Sequence, residues 1–223
     1  MLYDISLSHI FKLKCVHCLK KRHYPLIPTT IQYLFKLKTC CKKQYSLLSF
    51  LIETLTLLSF SLLYIFISTR YIFGFLIFVS ALLGSVYTDL SAFLISRFFS
   101  IFLLPVAFLL CWQNFLPTSI SESIIGASCS YFFLWTINSI FKKIKNKDGI
   151  GEGDFELLAL IGAFTGPIGA WFSLSIASIV GSAFGILQLY FSKKNSDSLY
   201  IPFGPFLALG AFSYILLLQT NYF

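Results

Sequence analysis

From Leu157 to Phe191 the chain runs without a single Asp, Glu, Lys or Arg. About 20 apolar residues are enough for one helix to cross the roughly 30 Å hydrocarbon core of a bilayer. This run is too long for one crossing. It has to be divided, and Gly166-Pro167-Ile168-Gly169 is the natural place, because Gly and Pro are the poorest helix formers. The reading is two spans, 155–171 and 172–191. Five more apolar segments of spanning character follow from the same rule, at 47–69, 71–88, 98–115, 119–141 and 201–220, the fourth span (119–141) being the most polar. With 57% hydrophobic and only 12% charged residues, the composition excludes an ordinary soluble domain. The expected class is an all-α polytopic membrane protein with about seven transmembrane helices. A short basic, Cys-containing cytoplasmic segment, 1–46, precedes a membrane-embedded domain, 47–223. Residues 1–45 hold no apolar run that reads as a cleaved leader or an anchor.

The cations set the orientation. Nine Lys/Arg lie in residues 1–45; Arg97 follows the second span, Lys142, Lys143, Lys145 and Lys147 the fourth, and Lys193 and Lys194 the sixth. With the N-terminus in the cytoplasm, all of these fall inside and Arg70 alone falls outside, a split of sixteen to one. The net charge of +8 is thus read as positive-inside loops, and nucleic acid is not expected as a partner. The same threading has a second consequence. Asp89, in SVYTDLSAFLIS, ends the second span on the cytoplasmic side, and Asp154, in GIGEGDFELLALIGAF, begins the fifth on that side.

Carboxylates are costly in a membrane, about 2.5 to 3.5 kcal/mol at a helix centre and less near the interface. Asp154 has a plain structural explanation as a helix cap, since a carboxylate there accepts orphan N–H groups and meets the positive end of the dipole. That explanation fails for Asp89, which sits where a helix C-terminus disfavours negative charge. The functional reading is a dyad. Two carboxylates a few ångströms apart cannot both ionise, so they share one proton. The ionised member takes a proton from water, and the protonated member polarises a scissile carbonyl. Gly149, Gly151 and Gly153 alternate before Asp154 and permit close approach of an extended peptide. A nucleotide loop is rejected, because no strand precedes these glycines and no GKS or GKT follows.

These residues resemble the type IV prepilin peptidases. GEGD at 151–154, continuing FELLALIGAFTG, looks like that family's GxGD motif, with Glu156 where Lys is usual. YIPFGPFLALGAF at 200–212 is similar to its late PFGPFLALGA element. There Pro202, Gly204 and Pro205 interrupt a helix start at the same face. Asp89 matches the first catalytic aspartate, although Ile95-Ser96-Arg97 replaces the usual Ile-Pro-Asp/Asn. The resemblance covers roughly residues 15–215. It implies that Asp89 and Asp154 are the catalytic dyad of an aspartic endopeptidase in the cell inner membrane. Gly151, Gly153, Glu156, Pro202, Gly204 and Pro205 would form the active-site loops, and Glu53, otherwise a snorkelling residue, matches a family Glu and would be a supporting polar group facing the site. The substrates implied are type IV prepilins or type II secretion pseudopilins, whose basic leader is cut after a Gly at the cytoplasmic face. Many members then methylate the new N-terminus with S-adenosyl-L-methionine.

Cys15-Val-His-Cys18 followed by Cys40-Cys41 suggests a structural zinc site. The family register puts Cys41 at the fourth ligand and Lys38 at the third, which breaks the second CxxC. Cys15, Cys18, Cys40 and Cys41 are the metal set, with His17 or His23 as alternative donors. The competing reading is a degenerate loop of reduced thiols. Cys111 and Cys129 are read as apolar filler. Family members usually begin with an apolar span ahead of the cysteines, and Cys15 stands too near the start of this sequence to leave room for one. That departure bears on methyl transfer more than on proteolysis. Two other classes compete: a non-catalytic membrane scaffold, and a small ion-coupled transporter with a polar path across the bilayer. The outer halves of the spans offer few polar groups for such a path.

Overall fold

The computed structural model describes residues 47–92, 97–145, 149, 151–191 and 202–220. All six elements among them are helices: α1 (Leu47–Phe66), α2 (Thr69–Ala92), α3 (Arg97–Trp112), α4 (Ile120–Lys145), α5 (Glu152–Phe191) and α6 (Gly204–Thr220). The chain divides into two compact units, Met1–Leu58 and Ser59–Phe223. In the first, the described residues form the start of α1, with Leu51, Leu55, Leu57 and Leu58 exposed. The second contains everything from the end of α1 onward.

Helix α5 is the axis of the second unit. Its first limb is buried on every side, Leu157, Leu158, Leu160, Ile161 and Phe164 being almost wholly covered, as expected of a helix apolar all round. Phe164 stacks on Phe78 of α2, with ring centroids 4.6 Å apart and planes 14° from parallel. Helix α5 has 40 residues. A straight helix of that length would reach about 60 Å, twice the bilayer core. The chain avoids this by reversing at Gly166, which has φ 74° and ψ 179°. On a straight helix Leu158 and Leu174 would lie about 24 Å apart. Both instead line one small void with Ser130.

The reversal is built from sequence chemistry. Pro167 has no N–H, so the carbonyl of Ala163, four residues back, loses its helical donor. The Ser123 hydroxyl of α4 supplies the missing bond. Thr118, just before α4, donates to the next carbonyl, Phe164, at 3.5 Å, and Cys111 Sγ lies 3.4 Å from the Thr118 hydroxyl. Broken helices survive in a membrane only where such partners exist. Backbone proximity completes the joint. A Cβ on Gly126 of α4 would collide with the Gly162 carbonyl oxygen and lie 2.8 Å from the Gly166 carbonyl carbon. Helix α4 starts with a capping box. The Ser119 N–H donates to Glu122 Oε2 at 2.9 Å, and the Glu122 N–H to Ser119 Oγ at 3.3 Å.

Helix α6 packs antiparallel to the second limb of α5, Gly181 facing Phe203 and Phe206 while Gly210 meets the Ser173 backbone. Helices α2 and α3 meet at the opposite end, where Arg70 Nε donates to the Asn114 carbonyl at 3.3 Å.

Among the described residues, three helical stretches are long and apolar enough to cross a membrane: Thr69–Leu90, Ile120–Ile144 and Glu152–Gln188. The stretches Phe50–Phe66, Ser100–Trp112 and Gly204–Leu218 are apolar but shorter. The expected all-helical class is therefore met, and the expected division at Gly166–Gly169 coincides with the reversal in α5. The expected seven full-length spans are not established, because three of the apolar stretches are short. Thr118, Ser123 and Thr165 gather at the reversal, but each hydroxyl is bonded to a helix carbonyl.

Candidate functional site

At the end of the second unit opposite the reversal, two acidic side chains are enclosed. Asp89 is 4% exposed and Asp154 is 6% exposed. Asp89 lies in the last turn of α2, the unfavourable end of a helix for a negative charge. Its compensation comes from another helix. Asp89 Oδ2 accepts the Gly204 N–H, the first of α6, at 3.0 Å.

The PFGPF segment explains why that N–H is available. The N–H groups of a helix's first turn have no partner within the helix. Phe203 is the cap, its carbonyl accepting from Phe206 at 3.1 Å and Leu207 at 3.2 Å. Pro205 has no N–H, and proline is well placed in a first turn. Gly204 is thus the donor directed at Asp89, beside the positive end of the α6 dipole. Pro202 lies half-buried just ahead of the cap.

Asp154 comes from the first turn of α5. Its own N–H donates to the Gly151 carbonyl at 3.1 Å, so Gly151 holds the cap position. Asp154 keeps a capping contact, its carboxylate accepting a hydrogen bond from the Gly151 backbone, and its buried side chain is also near enough to Asp89 for their charges to interact. A cavity of about 760 Å³ opens beside it, within the usual range for binding pockets. Gly149, Gly151 and Asp154 form one wall. Phe133 of α4, Trp171 on the second limb of α5 and Phe203 supply aromatic surface. Phe133 and Trp171 meet edge to face with centroids 4.4 Å apart. The reversal at Gly166 makes this cavity possible, since Ser178 and Ile179 return to the level of Asp154.

The structure therefore brings Asp89, Asp154, Gly151 and Gly204 to one end. Gly153 and Glu156 are half-buried in the first turns of α5, and Pro205 follows Gly204 in α6. Glu53 belongs to the other unit, part-exposed on α1, where its carbonyl accepts the Thr56 hydroxyl at 2.7 Å. Cys15, Cys18, Cys40 and Cys41, with His17, His23 and Lys38, lie outside the described residues. So does the segment Ile95-Ser96. Among the described residues no group of three or more His, Cys, Asp or Glu could hold a metal ion. Cys111 is buried and Cys129 exposed, both as free thiols.

Sequence reasoning missed Asn138, whose Oδ1 accepts the Gly149 N–H at 2.9 Å. Its one signal is an amide side chain in the C-terminal half of a helix long and apolar enough to cross a membrane.

Residues 76–186, which contain both aspartates and the glycine loop, match the type IV leader peptidase family. The chain carries a type IV leader peptidase domain. Three relatives carry the name prepilin leader peptidase/N-methyltransferase. The protein from Xanthomonas campestris pv. campestris is 41% identical over 87 residues, 39% of this chain and 30% of the relative. That from Aeromonas salmonicida is 40% identical over 90 residues, 40% of this chain and 31% of the relative. That from Pseudomonas aeruginosa is 36% identical over 91 residues, 41% of this chain and 31% of the relative. The chain thus spans about 30% of the length of the curated relatives it matches. No solved structure matches. With its apolar helices, a leader peptidase domain of this kind is that of a multi-pass membrane protein.

Proposed function

We propose that this chain is an aspartic endopeptidase that removes the basic leader of type IV prepilins or type II secretion pseudopilins at the cytoplasmic face of the inner membrane. Asp89 and Asp154 are its dyad. The observation that carries the reading is the enclosure of two sequence-distant carboxylates at one end of the bundle, one tied to the α6 N-terminus and the other bordering a cavity.

The chemistry follows from the pair. One carboxylate removes a proton from a water, which attacks the scissile carbonyl. The other, protonated, donates to the carbonyl oxygen as charge develops there, and the proton then passes to the departing amine. No side-chain nucleophile is required. Gly149 and Gly151, which border the cavity with Asp154, carry no side chain to obstruct an extended peptide backbone there. Methyl transfer to the new N-terminus is a second proposed step, suggested by the relatives' name.

The test is co-expression of this chain with a tagged prepilin or pseudopilin from the same organism. Wild type, Asp89→Asn and Asp154→Asn are compared by precursor size on a gel and by mass spectrometry of the mature N-terminus. Leader loss with wild type and with neither variant is the expected result. A mass increase of one methyl group reports the second step. An intact precursor beside correctly inserted wild-type protein would favour a non-catalytic scaffold.

A further inference from the structure

The loop that leads to Asp154 is fastened to the rest of the unit at one identifiable point. Helix α4 carries three polar side chains in close succession near its C-terminal end, Thr136, Asn138 and Ser139. Two serve their own helix: the Thr136 hydroxyl donates to the Phe132 carbonyl at 2.6 Å, and the Ser139 hydroxyl to the Trp135 carbonyl at 2.7 Å. Asn138 reaches outward instead. It is 9% exposed, and its Oδ1 accepts the Gly149 N–H at 2.9 Å, eleven residues along the chain. Phe141, one turn beyond, covers the same glycine so closely that a Cβ there would lie 2.6 Å from Phe141 Cδ1. Gly149 therefore has a fixed position over α4. Two residues further in sequence stands Gly151, whose carbonyl accepts the Asp154 N–H. Gly149, Gly151 and Asp154 together border the cavity.

We propose that Asn138 is a positioning residue, whose side-chain oxygen holds the glycine loop so that Asp154 and the cavity wall meet the scissile bond in register. The proposal rests on the peptidase reading. Loss of the anchor removes neither carboxylate but lets the wall that includes Asp154 shift. A displacement on the order of 1 Å near reacting groups can cost about a hundredfold in rate.

The experiment uses purified full-length chain in detergent micelles with a prepilin precursor as substrate. Asn138→Leu keeps the volume and removes the acceptor; Asn138→Asp keeps the acceptor. Asn138→Leu is expected to lower kcat about ten- to a hundredfold with KM little changed, and Asn138→Asp to recover most of that loss. Hydrogen exchange in peptides covering 146–151 should quicken about tenfold in Asn138→Leu, while peptides from the start of α4 keep wild-type protection. Wild-type kcat or wild-type exchange in Asn138→Leu would overturn the proposal. So would a loss that Asn138→Asp shares, or one that merely tracks a smaller folded fraction, since either marks a packing role. If the wild type itself leaves the precursor intact, the peptidase reading fails and the positioning role falls with it. Failure of Asn138→Leu beside an active wild type concerns Asn138 alone.

Discussion

Replacing Gly166 by Ala isolates the backbone requirement of the α5 reversal from any question of space. A Cβ at Gly166 would find Thr118 Cγ2 at 3.5 Å and Glu122 Cβ at 3.8 Å, both ordinary contacts. What the substitution cannot satisfy is the conformation, φ 74° with ψ 179°. That region is essentially confined to glycine, and the strain is on the order of 1–3 kcal/mol. For a chain of this size each kcal/mol lowers Tm by about 2–4 °C, which gives an expected drop of about 2–12 °C. The assay is thermal unfolding in detergent followed by tryptophan fluorescence, Trp171 lying just beyond the bend. Gly166→Asn sharpens the test. Asn tolerates the left-handed helical region, but that region does not extend to the nearly trans ψ that Gly166 adopts. It should be as destabilising as Ala. A Tm for Gly166→Ala equal to wild type, or full recovery with Gly166→Asn, would refute the conformation and with it the hydrogen-bonding account of Ser123 and Thr118. Peptidase activity per folded molecule should fall as well, because the limb that returns from Gly166 supplies Ser178 and Ile179 to the cavity beside Asp154.

Two further predictions probe the same frame. Gly126→Ala introduces a Cβ into backbone of α5, 2.8 Å from Gly166 C and 2.9 Å from Pro167 N, neither of which can turn aside. Overpacking of this kind costs about 1–3 kcal/mol and should appear as a lower Tm in the same assay. Gly204→Pro deletes the N–H that Asp89 accepts, at a helix position that tolerates proline, whereas Gly204→Ala keeps it. A hydrogen bond to a charged group is worth about 1.5–3 kcal/mol, so kcat for leader cleavage should drop about ten- to a hundredfold in the first variant and much less in the second.

The parts of this fold that the sequence made legible are those set by long apolar runs and by charge asymmetry. An uncharged run from Leu157 to Phe191 had to be divided, and only Gly166-Pro167 offered a break, so the reversal could be located to within a few residues. Counting cations implied that Asp89 and Asp154 share one end of the helices before any contact was known, and the structure places both at one end of the unit. The interruption at PFGPF was legible too, because Pro205 and Gly204 stand where α6 begins. Less was legible about the lengths of the helices: α3 closes at Trp112, before the apolar run ends, because Asn114 takes a positive φ and the Phe115 N–H turns back to the Leu110 carbonyl.

What was not legible is the set of polar side chains that make those breaks tolerable. Ser123, Thr118 and Asn138 are ordinary residues on or beside a moderately polar helix, and nothing in their spacing says which side chain will serve its own helix and which will reach another. The distinction depends on where the neighbouring backbone has lost a donor or exposes one, a property of the partner element. Pro167 strips a donor from the Ala163 carbonyl, and Ser123 answers it; the glycine loop presents the Gly149 N–H, and Asn138 answers that. The two joints lie at opposite ends of α4, which contacts both limbs of α5. One fixes the fold-back that carries Ser178 and Ile179 to the cavity, and the other fixes the loop that borders it. Helix α4 contributes neither aspartate, yet the geometry around Asp154 is defined from it at both ends. Substitutions along its buried face should therefore affect cleavage more than its distance from the acidic pair in sequence would suggest.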